Sequence, residues 1–394
     1  MTSSGESSID SAEHPLAAGA IAGNEDLLME ILLRLPIKSL LRFESVSKTW
    51  YSLITDHHFA QGYTRRHNPN TEPSGLLLMM AGFLFLPFND DGDQGHQAML
   101  ESWYPDNDQG FMILQSCNGL LLCSSTYFWK TYYVCNPTTR RFSTICLPSS
   151  EFWASLVSVS LAFDPLESPH YKLVFVRKVE KRTPLTYQID IYYSETRSMR
   201  PPASGSGDPL TFAAPQGRIR FSCPVYHSGA IHWCSEDETC LYFDTCTLHL
   251  KTMPMPPFPV ARNSDRVKYF GVSRGHLHLI TMDNHYDMEF DILELKADYS
   301  GWFVAYRVNL DAVVINFPEI THNLVTEHLI YHILCVVRAV KEEESTMVIG
   351  VSGRIISFNL KNSTSKMICV SAPFYEVHGV KFAYQYIETL AHVS

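Results

Sequence analysis

Apolar side chains between residues 24 and 59 recur at helical spacing in three short runs. Leu27, Leu28, Ile31, Leu32 and Leu35 form the first, Leu40, Leu41 and Phe43 the second, and Val46, Trp50, Leu53 and Ile54 the third; this predicts three short helices. Asn24 stands where an N-cap is needed, Glu25 and Asp26 suit the positive helix start, and Pro36 ends the first helix. From residue 75 the period shifts to two. Strand-like runs at 75–86, 112–123, 132–135, 142–147, 157–163, 171–179 and 187–193 alternate with turn clusters, and more follow at 230–234, 240–243, 249–253, 276–282, 303–308, 329–340, 347–351, 354–359 and 366–370. The expected fold class is α+β multidomain: a small three-helix module followed by an all-β sandwich, barrel or propeller.

Internal repetition favours the propeller. Gly119-Leu120-Leu121-Leu122-Cys123 leads to a strand closed by Asn136, a Thr-rich turn and a third strand ending at Leu147-Pro148. Gly229-Ala230-Ile231-His232-Trp233 repeats this with Asp244 and Met253-Pro254, and Gly353 to Asn359 repeats it in degraded form. Asn136, Asp244 and Asn359 suit the turn role because their side chains bond backbone amides two residues on. Units of about 40 to 50 residues correspond to blades, so the β domain is expected to be an irregular propeller of six or seven. The domain reading is a disordered tail at 1–22, a helical module at 23–67, a linker at 68–73, a β domain at 74–376 and a C-terminal helix at 377–394, built on Val380, Tyr384, Ile387 and Leu390. Residues 89–110 and 201–209 read as unstructured excursions.

The helical module has more large apolar groups than a piece below about 40 residues can enclose, so some must face a partner. Its run from Ile31 through Pro36 to Phe43, followed by Val46-Ser47-Lys48-Thr49-Trp50, resembles the F-box of plant F-box proteins. Gly23-Asn24 stands where many F-boxes have Leu-Pro. The β region, through Ser116-Cys117-Asn118-Gly119-Leu120, Cys135-Asn136-Pro137-Thr138-Thr139-Arg140, Phe163-Asp164-Pro165 and Gly229-Ala230-Ile231-His232-Trp233, resembles the kelch-like F-box associated domain. The resemblance implies a non-catalytic substrate receptor of an SCF-type (adaptor, cullin, F-box) ubiquitin ligase. Its adaptor and, through it, cullin would bind the F-box, with Leu28, Ile31, Leu32, Leu35, Pro36, Leu40, Val46 and Trp50 on or behind that surface. The exposed contact is expected from Leu32, Leu35 and Leu40, the apolar excess. A protein substrate would sit on the β domain, at residues the sequence does not name. The alternative is an F-box scaffold or sequestering protein acting outside ubiquitination.

Composition narrows the remaining classes. A net charge of −10 without a basic stripe gives no nucleic-acid signal. The apolar run at 76–86 is too short to span a bilayer, and 1–22 lacks the basic start and apolar centre of a signal peptide, so no membrane partner and a location in nucleus or cytoplasm are expected. The ten cysteines then remain thiols. Neither a cofactor nor a metal is expected. Gly271-Val272-Ser273-Arg274-Gly275 matches a nucleophile elbow but leads into a strand-like run rather than a helix, so it reads as a hairpin turn. Asp106 to Gly110 misses the register of a calcium loop. Cys234, Cys240 and Cys246, with His232 and His249, are spaced for separate strands rather than zinc. His276 and His278 share one strand face, and Asp164, Asp244 and Asp283, the carboxylates a propeller hydrolase would need, read as turn formers.

Overall fold

The computed structural model describes residues 24–67, 73–79, 83–88, 111–125, 131–179, 184–200, 209–213, 219–235, 239–256, 266–283, 287–320, 331–351, 353–370 and 383–393. The expectations for 1–22, 89–110, the calcium-like 106–110 and nearly all of 68–73 and 201–209 lie outside the described residues. The chain divides into two compact units, Met1–Asn68 and Pro69–Ser394.

The first unit contains α1 (Glu25–Leu32), α2 (Ile37–Phe43), α3 (Lys48–Ile54) and α4 (His57–His67). Asn24 caps α1 by accepting from the Leu27 amide at 3.2 Å, and Ser47 caps α3 by accepting from the Trp50 amide at the same distance. Pro36 is extended and leads into α2. Helix α4 lies beyond Ile54, where the expected helices end. That helix buries Phe59, Ala60 and Tyr63, while Tyr63 Oη donates to Leu35 O at 3.0 Å and His67 Nε2 to Leu33 O at 2.8 Å. Both bonds satisfy carbonyls freed where α1 ends. A fourth helix makes the unit large enough to enclose more than three could, and Leu28, Leu32, Ile37, Leu40 and Ile54 are all buried.

The second unit is a ring of six blades. Blade 1 is β3 (Phe111–Cys117), β4 (Leu120–Ser125), β5 (Thr131–Asn136) and β6 (Arg141–Cys146). A short helix, α5 (Ser150–Ser155), leads to blade 2, β7 (Leu156–Ala162), β8 (Lys172–Val179) and β9 (Thr186–Tyr193), whose outer strand is split into β10 (Ser198–Arg200) and β11 (Thr211–Ala213). Blade 3 is β12 (Val225–His227), β13 (Ala230–Trp233), β14 (Thr239–Asp244) and β15 (His249–Pro254). Blade 4 is β16 (Val267–Ser273), β17 (His276–Thr281), β18 (Glu289–Leu295) and β19 (Trp302–Asn309), followed by α6 (Asp311–Asn316). Blade 5 is β20 (Tyr331–Val337), β21 (Thr346–Val351), β22 (Arg354–Asn359) and β23 (Ser365–Val370). Blade 6 takes β1 (Gly75–Met79) and β2 (Phe83–Pro87) from one end of the domain and its inner strand, β24 (Ala383–Tyr386), from the other. The count resolves the expected six or seven to six.

The inner strands β24, β3, β7, β12, β16 and β20 neighbour one another in that cyclic order. A side chain bonds backbone or is bonded by it across every seam. Tyr384 Oη donates to Ile113 O (2.6 Å), the Gln115 amide clamps Leu161 N and O (2.7 and 2.9 Å), and Ser158 Oγ donates to Phe221 O (2.7 Å). Arg220 then reaches Val267 O (3.3 Å), Arg338 N donates to Ser273 Oγ (2.8 Å), and Gln385 Nε2 reaches Val336 O (3.3 Å). Apolar clusters fill the wedges between consecutive blades; Trp233, Phe243, Val174 and Ile191, for example, share the wedge between blades 2 and 3. Each sheet is therefore covered on both faces, so β4 buries Leu120, Leu121, Leu122 and Cys123 in succession rather than alternately.

The expected helix at 377–394 is a correction. Residues 383–386 are strand β24 and 387–393 form no helix, while 377–382 lie outside the described residues. The steps of four, three and three along Val380, Tyr384, Ile387 and Leu390 fit one face of a helix and not of a strand, and of the four only Tyr384 lies in β24. Pairing with β1, which needs an inner neighbour, decided for the strand.

Candidate functional site

The helical unit carries its apolar surface on some of the expected residues and on two others. Leu32 and Leu40 are fully buried, with Leu28 beside them, so they are core rather than exposed excess; Leu35 and Trp50 are half-buried. Ile31, Pro36 and Val46 are exposed. Leu27, one turn before Ile31 on the same stripe of α1, and Tyr51 of α3 are also large and exposed, at 50% and 47%. Leu27 was legible in the helical spacing; Tyr51 gave no sequence signal. Trp50 rests edge-on against Phe43 at 5.2 Å, fixing the start of α3. Beyond this apolar area, Glu30 accepts from Arg34 at 2.7 Å and Arg66 at 3.0 Å, which hold its carboxyl below the usual range and tie α1 to α4.

In the propeller, first-to-second and third-to-fourth strand turns gather on one face. Asn118-Gly119, Ser228-Gly229 and Arg274-Gly275 join first to second strands with φ positive at both residues, the geometry of a type I′ hairpin. Gly353 also takes positive φ, but one strand later, between β21 and β22, which explains why that repeat copy reads as degraded. The third-to-fourth turns repeat closely. Asn136 Oδ1 accepts from the amides of Thr138 and Thr139, Asp244 Oδ1 from Cys246 and Thr247, and Asn359 Oδ1 from Lys361 and Asn362. Arg140, Leu248 and Ser363 then take positive φ.

Blades 3 to 5 place polar groups on this face. His276 Nδ1 donates to Glu294 Oε1 at 2.7 Å, Arg338 binds the other carboxylate oxygen, and buried His278 lies 3.7 Å from it. His232 Nε2 bonds Tyr299 Oη at 2.9 Å and stacks on Tyr242. Burial pushes His232 and His278 down to about 3, and burial with neighbouring His276 pushes His227 down to about 4.

Among the described residues, the nucleophile, carboxylate and zinc candidates are not assembled into a site. Ser273 closes β16 in a hairpin, and its buried hydroxyl accepts from Arg338 N rather than facing a base. Asp164 and Asp244 bond amides of their own turns, and Asp283 faces Arg266 at 3.8 Å. Cys234 and Cys240 pack in the wedge between blades 3 and 4, while Cys246 is exposed in its turn. Among the described residues no group of three His, Cys, Asp or Glu is arranged to hold a metal ion, and no helix is long and apolar enough to cross a membrane.

Comparison with known proteins agrees with both units. Residues 24–61 match the F-box domain family and residues 92–393 the F-box associated beta propeller domain family. The chain is 31% identical to F-box protein At5g07610 of Arabidopsis thaliana over 410 residues, covering 96% of this chain and 94% of that protein. It is 25% identical to F-box protein At2g34280 of the same plant, over 73% of this chain and 81% of that one.

Proposed function

Because this chain belongs to the plant F-box proteins that carry an F-box associated β-propeller, we propose that it is the substrate-recognition subunit of an SCF-type ubiquitin ligase. The helices dock on the adaptor, and through it cullin, while the propeller holds a protein to be ubiquitinated. One observation carries the reading: the helical unit that matches the F-box leaves Leu27, Ile31, Val46 and Tyr51 exposed, ahead of a propeller whose Asn136, Asp244 and Asn359 bond the backbone of their own turns. Such a chain performs no bond chemistry. It acts by effective concentration, keeping target lysines near a conjugating enzyme brought by other subunits.

Ile31, Pro36 and Val46 make the adaptor contact in this reading, with Leu27 and Tyr51 added. Leu35 and Trp50 edge it, and Leu28, Leu32 and Leu40 support it from behind. Exposed positions are therefore the ones to change, because an Asp at buried Leu40 would unfold the unit. Ile31→Asp and Val46→Asp are each expected to keep the helical circular dichroism and lose at least about tenfold in adaptor affinity, by placing a charge in a desolvated contact. Co-purification with a plant adaptor and cullin is the test. Wild type should bring down both and the variants neither. Wild type that brings down adaptor without cullin would indicate a role outside ubiquitination, and wild type that brings down neither would overturn the receptor reading.

A further inference from the structure

We propose that residues 387–393 are a strap that locks the propeller ring shut. The ring is covalently continuous except inside blade 6, where β1 and β24 come from opposite ends of the domain. There the closure rests on four residue pairs, Gly75–Tyr386 to Leu78–Ala383. The strap leaves β24 and crosses blade 1 on the turn face. Asn136 Nδ2 donates to Thr389 O at 3.0 Å and to Ala391 O at 2.7 Å. Thr389 N donates to Thr138 Oγ1 at 3.2 Å, and that hydroxyl also bonds Tyr386 Oη at 3.0 Å. Further along, Ala391 and Val393 are buried in the wedge between blades 1 and 2 with Cys117, Leu120, Phe163 and Tyr171. Seven residues thus tie blade 6 to blades 1 and 2, across the break.

Blade 3 repeats the two turns of blade 1 that meet the strap. At the equivalent turn of blade 3, Asp244 accepts the same pair of amides without an amide group to donate, so the Nδ2 of Asn136 is not needed for the turn and serves the strap. At the hairpins, a Cβ on Gly119 would lie 2.5 Å from Thr389 Cγ2 and 2.7 Å from Ile387 O, whereas one on Gly229 would meet nothing within 4 Å, although both have positive φ. Asn118-Gly119 is pressed against the strap, and Ser228-Gly229 is the same turn left open.

Asn136→Asp is the test, since it keeps the turn and removes both donors. It is expected to leave far-ultraviolet circular dichroism unchanged and to speed hydrogen exchange of the amides of residues 75–78 and 383–391 by about tenfold or more. Asn359→Asp, which removes a bond to Glu343 O inside blade 5, should leave those amides at the wild-type rate. Gly119→Ala should lower Tm more than Gly229→Ala, and the excess should vanish in a chain stopped after Tyr386. Wild-type exchange in Asn136→Asp, or equal costs for the two alanine variants in the full chain, would overturn the proposal. Should the stopped chain fail to fold, the full-length comparisons still decide.

Discussion

Three imidazoles in blades 3 and 4 make the propeller sensitive to acid. His227, His232 and His278 are held neutral, with values near 4, 3 and 3, chiefly because burial disfavours the charged ring. An unfolded histidine titrates near 6.5. Above that value both states are neutral, and the histidines add no pH dependence. Below it the unfolded chain takes up protons that the folded chain refuses, so stability falls as pH drops from about 6.5 towards 4 and beyond. Thermal unfolding at a series of pH values should show Tm declining across this window. His278→Leu should make that decline shallower, and an unchanged slope would mean that this ring is not refusing a proton. Asp190 is buried and accepts from Arg177 at 2.6 Å and Gln188 at 3.0 Å. Asp190→Ala leaves a mostly buried guanidinium without its carboxylate and should cost about 3 kcal/mol in denaturant unfolding.

Turns and caps were the elements most legible from residues alone. Asn136, Asp244 and Asn359 were read as turn formers because a short polar side chain can bond amides ahead of it, and each does so. Asn24 likewise caps α1. The same local logic yields a prediction for Ser47, whose hydroxyl caps α3. Ser47→Ala should cost about 1 kcal/mol, read as earlier loss of helical signal on heating. Elements whose existence depends on distant partners were read less well. The three-residue strands β10, β11 and β12 are too short to show a period. In β18, Glu289, Asp291 and Glu294 interrupt the apolar run, and Glu294 is buried because Arg338 and His276 arrive from other elements to pair with it. Helix α4 was missed because its apolar residues are few and its surface is polar.

For the whole propeller, closure is the decisive event. A chain ended at Val370 would keep blades 1 to 5 but lose β24, the seams on both sides of it and the inner partner of β1. The expected result is loss of cooperative unfolding and aggregation on size exclusion rather than a modest fall in Tm, because two wedges of core open together and β1 is left as an unpaired edge. A monomeric chain with a sharp transition would show that five blades stand alone. Local chemistry in the residues was enough to specify a capped helical module followed by repeated strand-turn-strand units, since period, capping and turn preference act within a few positions along the chain. Tertiary structure decided the rest. It set the number of blades, placed β24 rather than a helix at residues 383–386, and turned Leu32 and Leu40 inward while leaving Leu27 and Tyr51 outside. Each of those outcomes depends on which distant surface is available to cover a side chain or pair a strand, and spacing along one segment carries no record of that.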